Sequence, residues 1–581
     1  MKAKIEDSLR EIICNLYSKN ISNINDISIN LQENKEKAHG DLASNIAMVL
    51  AKPLGKSPIE IAKQIIDQYE IDKEIINVEI AGPGFINFFL SKDSISEVLR
   101  EIDQKKQHFG KKVSCEQKVL IEYVSSNPTG PLHVGHGRGA AFGSVLSDLL
   151  REAGYEVDEE YYVNDFGRQI DILALSLWVR YAQFYDKNIQ MFSDGYQGEY
   201  LIEIAENLKR NNADAFFIKD EDIHSLFNSD KDKGENFVDS LVEKIKVKLG
   251  KGYSQIKEFA VQEILKLIKS DLTEFGVNHN SWFSESSLYA EDRNSEFRVK
   301  KSIEELKAGG FVYEKDNAIW FKSSKFNDDK DRVLKRGSGD FTYFASDVAY
   351  HIDKYERGYE KILNIWGSDH HGYLPRVKAA LEACNKDRDK LEVVFVQFAS
   401  LVRSGKKVSM STRSGEFISI KELMDEVTPD AARFFYINRK ADQHLEFDLD
   451  LAKEQSKDNP LYYIQYAHAR ICSVFRKSKI DEDSLSEADL NLLDSERETE
   501  IIKSLGQYPK IIERAANSYE PHLICYFLRE LSASFHGYYN NEKFLIEDED
   551  LMKSRLFLLK GIKQVIQNGL RVLGQRAPKE M

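Results

Sequence analysis

Apolar and polar positions follow three successive patterns along the chain. Residues 1–108 open with apolar residues at helical spacing mixed with acids, in "IEDSLREIICNLY". They go on to "INVEIAGPGFINFFLS", where a Gly-Pro-Gly turn separates two short, alternating, aromatic-rich segments, and a small α+β unit is expected. A helix over about 92–106 and the polar stretch "KKVSCEQK" lead into the second pattern. "QKVLIEYV" is mostly apolar, as a strand buried on both faces must be. A glycine-rich loop, a helix stopped by Gly154 and the strand "YEVDEEYYV" follow, an order that predicts a doubly wound α/β core. Lysine- and glutamate-rich helices interrupt it at about 186–275, and "NAIWFKS", "ILNIWGSDHHGY" and "EVVFVQF" resume it. After about 455 the periodicity is helical to the end. The expected protein is a multidomain α/β one. It has an N-terminal α+β domain (1–108), a parallel-sheet core (109–455) with a helical insertion, and an all-α helical-bundle domain (456–581).

Composition alters this picture in three places. A net charge of −14 argues against a generic nucleic-acid binder. The stretch 551–581 nevertheless carries Lys553, Arg555, Lys560, Lys563, Arg571, Arg576 and Lys579 against the single acid Glu580. That balance fits either phosphate contacts at one place or a solvated helix face. No run approaches the ~18–20 apolar residues of a membrane helix, and the N-terminus reads as neither signal nor transit peptide. Five scattered cysteines without a CxxC pair point to a reduced, cytoplasmic setting with no structural zinc.

The chemistry concentrates in "SSNPTGPLHVGHGRGAA", residues 125–141. His133 and His136 are three apart, whereas zincin histidines stand four apart on one helix face beside a third ligand, so a metal site is disfavoured. Glycines admit a ligand close to the backbone, and a helix start offers unpaired N–H donors, so a phosphate site is the better motivated reading. Turn histidines bonded to the backbone are its rival. "GSDHH" at 367–371 follows an apolar strand and so belongs at the carboxyl edge of the sheet, where nucleotides bind.

The longer string "IEYVSSNPTGPLHVGHGRGAA" resembles the signature of class I aminoacyl-tRNA synthetases in the form carried by arginyl-tRNA synthetases. "AGPGFINFFL", "EYYVNDFGRQI", "WFSES", "FTYFASDVAYH", "IWGSDHHGYLPRVKAAL", "DNPLYYIQYAHARICSV" and "LGQRAP" extend the resemblance over most of the chain. It implies a Rossmann-like class I synthetase core and a two-step reaction. L-arginine is activated by ATP, with Mg²⁺ in the substrate complex, to arginyl-adenylate. The arginyl group then passes to the 3′ end of tRNA(Arg). His133 and His136 would bind ATP and stabilise the reacting phosphate, Gly135 would leave room for adenine, and Gly367, Asp369 and His370 would contact ribose and adenine. A guanidinium needs carboxylates around it. By resemblance Glu122, Tyr343 and Asp347 hold the arginine side chain, and Ser125 and Asn127 its α-amino and carboxylate ends. A strand-edge salt bridge at Glu122, helix-face packing at Tyr343 and a helix cap at Asp369 are the plain alternatives.

The second class I signature falls on Ser409, Met410, Ser411, Thr412 and Arg413, without its two lysines. Met410 and Ser411 match its ATP-binding positions, and Lys406, Lys407, Arg413 or Lys118 would supply the missing charge. In the C-terminal helices Tyr463, Gln465, Tyr466 and Arg470 suit either splayed anticodon bases or a helix-to-helix core. The resemblance further implies tRNA-elbow binding by the N-terminal domain, adenylate formation that needs bound tRNA, and a monomer. The 186–275 insertion reads as structural or tRNA-facing. A catalytically silent synthetase-like RNA-binding protein and a small-molecule nucleotidyltransferase are the two rival functions.

Overall fold

The Gly-Pro-Gly turn, with Gly82 and Gly84 at φ 51° and 124°, joins strands Ile75–Ala81 and Phe85–Leu90 into an antiparallel hairpin. With Leu31–Glu33 and Leu42–Ser44 these form a four-stranded sheet, in a computed structural model that describes residues 2–18, 27–34, 39–219, 236–289, 297–408 and 418–581. Helices Lys2–Tyr17, Ile46–Leu54 and Pro58–Ile66 cover it, and Ile5, Leu9, Ile61 and Phe88 fill a core of its own. The helix Lys92–Lys105 turns Leu99 and Ile102 toward a different core, against Gly561 and Leu505 of the C-terminal helices.

The central sheet has five parallel strands, in the order Leu391–Val396, Lys361–Gly367, Lys118–Glu122, Glu156–Val163 and Ser281–Ser284. Val119 to Glu122 are all buried, as a strand covered on both faces requires. The chain winds outward from Lys118–Glu122 to one side, then returns and builds the other. The switch point therefore lies between Lys118–Glu122 and Lys361–Gly367, and their carboxyl ends open side by side.

"NAIWFKS" departs from expectation. Ala318–Phe321 pairs antiparallel with Val312–Lys315 and Arg332–Lys335 in a separate three-stranded sheet, because tight turns between these short segments favour hairpins over crossovers. The helices Tyr200–Asn212 and Lys251–Glu274 of the insertion stack on Arg168–Ala182, and Ile204, Leu208, Ile256 and Ile264 join the main core. From Pro460 onward the helices Pro460–Ser478, Glu496–Ser518, His522–Asn541 and Glu549–Val572 form the helical bundle. Among the described residues no helix is long and apolar enough to cross a membrane.

Candidate active site

The strand Lys118–Glu122 ends in an unusual turn: Val124 and Ser125 have φ of 68° and 42°. A β-branched residue rarely takes such a conformation, and backbone strain of this kind clusters at ligand sites. The turn folds Ser125 back so that its hydroxyl donates to Glu122 Oε1 at 2.9 Å and accepts from the Tyr162 N–H at 3.1 Å. Asn127 is held between Asn164, whose Nδ2 donates to its Oδ1 at 2.7 Å, and Gln169, to which its own amide donates at 2.7 Å.

The two histidines cap the helix Val134–Glu152. His133 Nδ1 accepts from the Gly135 N–H at 3.1 Å, and His136 Nδ1 accepts from the His133 N–H at 3.3 Å. The rings stack with centroids 3.8 Å apart. A backbone N–H can only donate, so both Nδ1 atoms must be unprotonated and each neutral ring carries its hydrogen on Nε2. Burial lowers the His133 pKa, and burial followed by the neighbouring His133 takes His136 down to about 3. The backbone-bonded reading and the phosphate reading are thus compatible: capping uses one edge of each ring and fixes the other as a donor. Gly135 gains a reason the sequence did not supply, since a Cβ there would lie 2.8 Å from the His133 ring.

A cleft of about 950 Å³ opens at the switch point. Ser125, Asn127, His133, Gly135 and His136 line one wall, and Gly367, Asp369 and His370 the facing one. Asp369 makes no cap hydrogen bond; its carboxylate lies 3.6 Å from His370 Nε2 and is open to solvent. A Cβ on Gly367 would meet Asp369 Oδ1 at 2.6 Å. Residues 193–198 and Tyr200, from the start of the insertion, close a third side, and the Tyr200 hydroxyl donates to Thr129 O at 2.7 Å.

Glu122, Tyr343 and Asp347 are not among the residues that line that cleft, and Glu122 meets it through the Ser125 hydroxyl. Glu122 is 7% exposed and ion-paired with the fully buried Lys354, which also donates to Asn364 Oδ1 at 2.8 Å. The plain alternative of a salt bridge therefore holds at Glu122, in buried form, and Lys354 supplies the partner its burial needs. Asp347 accepts from the Tyr373 hydroxyl. Burial raises its pKa to about 7, with Tyr373 and Lys354 opposing and the Glu122 charge adding. Tyr343 stands in the first turn of the helix Tyr343–Glu356, more than half exposed.

A carboxylate that sequence reasoning missed completes this group. Glu285 is 1% exposed, and its Oε2 has no hydrogen-bond partner among the described residues. Burial raises its pKa to about 7, with the Ser346 hydroxyl opposing and Asp347 and Asp165 adding. Its sole signal was its place, one residue past the strand Ser281–Ser284 at the carboxyl edge of the sheet. Lys354 carried no such signal.

The cation candidates divide. Lys406 and Lys407 form an exposed two-residue strand paired with Val402 and Arg403, while Met410, Ser411 and Arg413 lie outside the described residues. The segment after them is tied to the first signature, with Ser419 bridged to His133 and the Val134 N–H donating to Ile418 O at 3.0 Å. Lys118 is at the wrong end: it begins the strand whose far end carries the site, four residues or roughly 13 Å away.

On the helix Pro460–Ser478, Tyr463 and Tyr466 pack against His536 at 4.5 and 5.7 Å, and Arg470 lies over Tyr466 and Tyr539. All are half-buried, so they line a helix junction and still reach the surface. Gln465 donates to Arg576 O at 2.9 Å. Several of the basic side chains expected to meet phosphate or solvent are ion-paired, while the Arg576 side chain stays 78% exposed. Arg555 pairs with Glu498 and Glu542, Lys560 with Asp103, Lys563 with Glu482, Arg571 with Glu152 and Arg576 with Asp430.

Three family models match successive parts of the chain. They are the arginyl-tRNA synthetase N-terminal domain at 1–90, the class I (R) tRNA synthetase catalytic domain at 97–446 and the DALR anticodon binding domain at 464–581. The chain is 47% identical over 569 residues to the arginine–tRNA ligase of Hydrogenovibrio crunogenus, covering 95% of each. It is 46% identical over 592 residues to that of Legionella pneumophila strain Corby, covering 100% of each. The arginyl-tRNA synthetase structure from Thermus thermophilus superposes with a TM-score of 0.72 at 19% identity, covering 100% of both chains. A Campylobacter jejuni chain assigned to the same enzymes gives 0.74 at 33%, covering 85% of this chain and 100% of that one.

Proposed function

The chain belongs to the arginyl-tRNA synthetase family, and from that premise we infer how its residues divide the work of an arginine–tRNA ligase. The reaction joins L-arginine to tRNA at the expense of ATP. The arginine carboxylate attacks the α-phosphate, pyrophosphate leaves, and the ribose hydroxyl at the 3′ end of the tRNA then displaces AMP from the arginyl-adenylate. Mg²⁺ would enter with the triphosphate as part of the substrate.

In-line attack at phosphorus needs positioning and charge stabilisation above all. The Nε2–H groups of His133 and His136 are fixed, neutral donors on the wall of the cleft, suited to oxygens whose charge grows in the transition state. Gly367, Asp369 and His370 face them, where the nucleoside would lie. Ser125 and Asn127 line that cleft and Ser125 reaches Glu122, so they would meet the α-carbon end of an arginine whose side chain is directed to Glu285, Asp347 and Glu122. Lys406 and Lys407 are the described cations next to the second signature and would meet the pyrophosphate.

One observation carries this division: the hydrogen bond from Ser125 to Glu122 joins the nucleotide cleft to the acidic group behind it. Tyr463, Tyr466 and Arg470 would receive anticodon bases, and the N-terminal domain the elbow of the tRNA. We place the enzyme in the cytoplasm as a monomer. ATP–pyrophosphate exchange, run with each amino acid and with or without tRNA(Arg), tests the reading. Exchange with arginine and tRNA together is expected, and exchange with another amino acid alone would overturn it. The silent RNA-binding alternative predicts none.

A further inference from the structure

Four tyrosines, two buried and two partly buried, surround the acidic group, and three have a settled hydroxyl. Tyr350 donates to Glu160 Oε1 at 2.7 Å, Tyr373 donates to Asp347, and Tyr289 shares a hydrogen bond with Ser346 Oγ at 2.6 Å. Tyr162 is the exception. It is 6% exposed, its ring packs on Tyr350 with centroids 4.4 Å apart, and its hydroxyl has no partner among the described residues. Its backbone N–H is bound by the same Ser125 hydroxyl that holds Glu122.

A buried hydroxyl without a partner costs stability, and native proteins keep few of them. Here it coincides with a second such atom, Glu285 Oε2. The charges felt by the Tyr162 hydroxyl, after burial itself, are those of Glu285, Asp347, Glu122 and Tyr289, so it sits amid the acidic group and stays protonated. A cation with two or more N–H donors can bond the carboxylate oxygen and a lone pair of the hydroxyl together. A guanidinium has five N–H donors in a plane and no acceptor, so it would donate to the carboxylate and to a tyrosine lone pair together. An ammonium is a compact point charge without that fork.

We propose that Tyr162 is a specificity-determining residue for the amino acid, its unpartnered hydroxyl accepting a hydrogen bond from the substrate guanidinium next to Glu285. The inference rests on the arginine reading above. Its consequence is a trade: the hydroxyl costs the empty enzyme stability and returns it when arginine binds.

Tyr162→Phe in the full chain tests this, with Tyr350→Phe as the control for a hydroxyl that has a structural partner. Three quantities are measured: the arginine KM and kcat in tRNA charging, the arginine Kd by calorimetry, and the melting temperature without ligand. For Tyr162→Phe, KM and Kd should rise about 10- to 100-fold with kcat within threefold. Its ligand-free melting temperature should stay level or rise. Tyr350→Phe should melt earlier and keep its arginine Kd within threefold. A Tyr162→Phe Kd within twofold of the parent would overturn the proposal. So would a loss of ligand-free stability equal to that of Tyr350→Phe, because the hydroxyl would then have a structural partner. If the parent chain itself fails to charge tRNA with arginine, the broader reading falls and the proposal with it.

Discussion

Glu285 and Asp347 titrate near pH 7 in the arginine-free protein, both raised chiefly by burial. A guanidinium placed between them favours the ionised form, so their pKa values fall on binding and protons are released. Arginine affinity should therefore increase with pH up to about 7.5 and level off above. Between pH 6 and 7 the Kd should drop by up to about tenfold for each carboxylate that must ionise. Calorimetry in buffers of different ionisation enthalpy checks both the trend and the proton count, and a flat Kd from pH 6 to 8 would refute it. At this scale the two histidines were legible, because glycines and a helix start explain imidazoles at 133 and 136. Glu285 and Lys354 were not. Each is one charged residue in a charged chain, and its meaning comes from a burial that no local pattern records.

Among the elements, the signature helix Val134–Glu152 is fixed as much by one arginine as by its apolar face. Arg138 is almost wholly buried and donates to the carbonyls of Gln397, Gln443 and Lys440 at 2.8, 2.7 and 2.9 Å and more weakly to Tyr436. It thereby ties the helix to the loops on the far side of the cleft. Arg138→Met should lower stability by about 3 kcal/mol or more, because several buried carbonyls lose their donor at once. Urea unfolding measures it, and a loss under about 1 kcal/mol would mean that the carbonyls find other partners. The central strands could be read from the sequence because a strand buried on both faces must be apolar throughout. Ala318–Phe321 could not be assigned to its sheet, since a short apolar run looks the same in a parallel core and in a hairpin.

For the whole molecule, part of the basic C-terminal stretch serves as a clamp. Lys560 reaches Asp103 at 2.6 Å and Lys563 pairs with Glu482, joining the last helix to the segments beside it. The double variant Lys560→Gln/Lys563→Gln should melt earlier and leave the salt dependence of tRNA binding nearly unchanged. Each lost phosphate contact would flatten the slope of log K against log salt by about 0.7–0.9, so a change of about 0.7 or more would show that these lysines meet phosphate. The sequence by itself determined the order of the domains, the parallel core and the histidine pair, because each follows from local periodicity or from residue types that few chemistries require. Tertiary structure decided which charges are free to act. It gave Glu122 a buried lysine, left Glu285 and Tyr162 with unpartnered atoms, set Lys118 at the wrong end of its strand and paired Lys560 with Asp103. Electrostatic roles depend on who stands within a few ångströms, and in a wound sheet those neighbours come from segments more than a hundred residues apart.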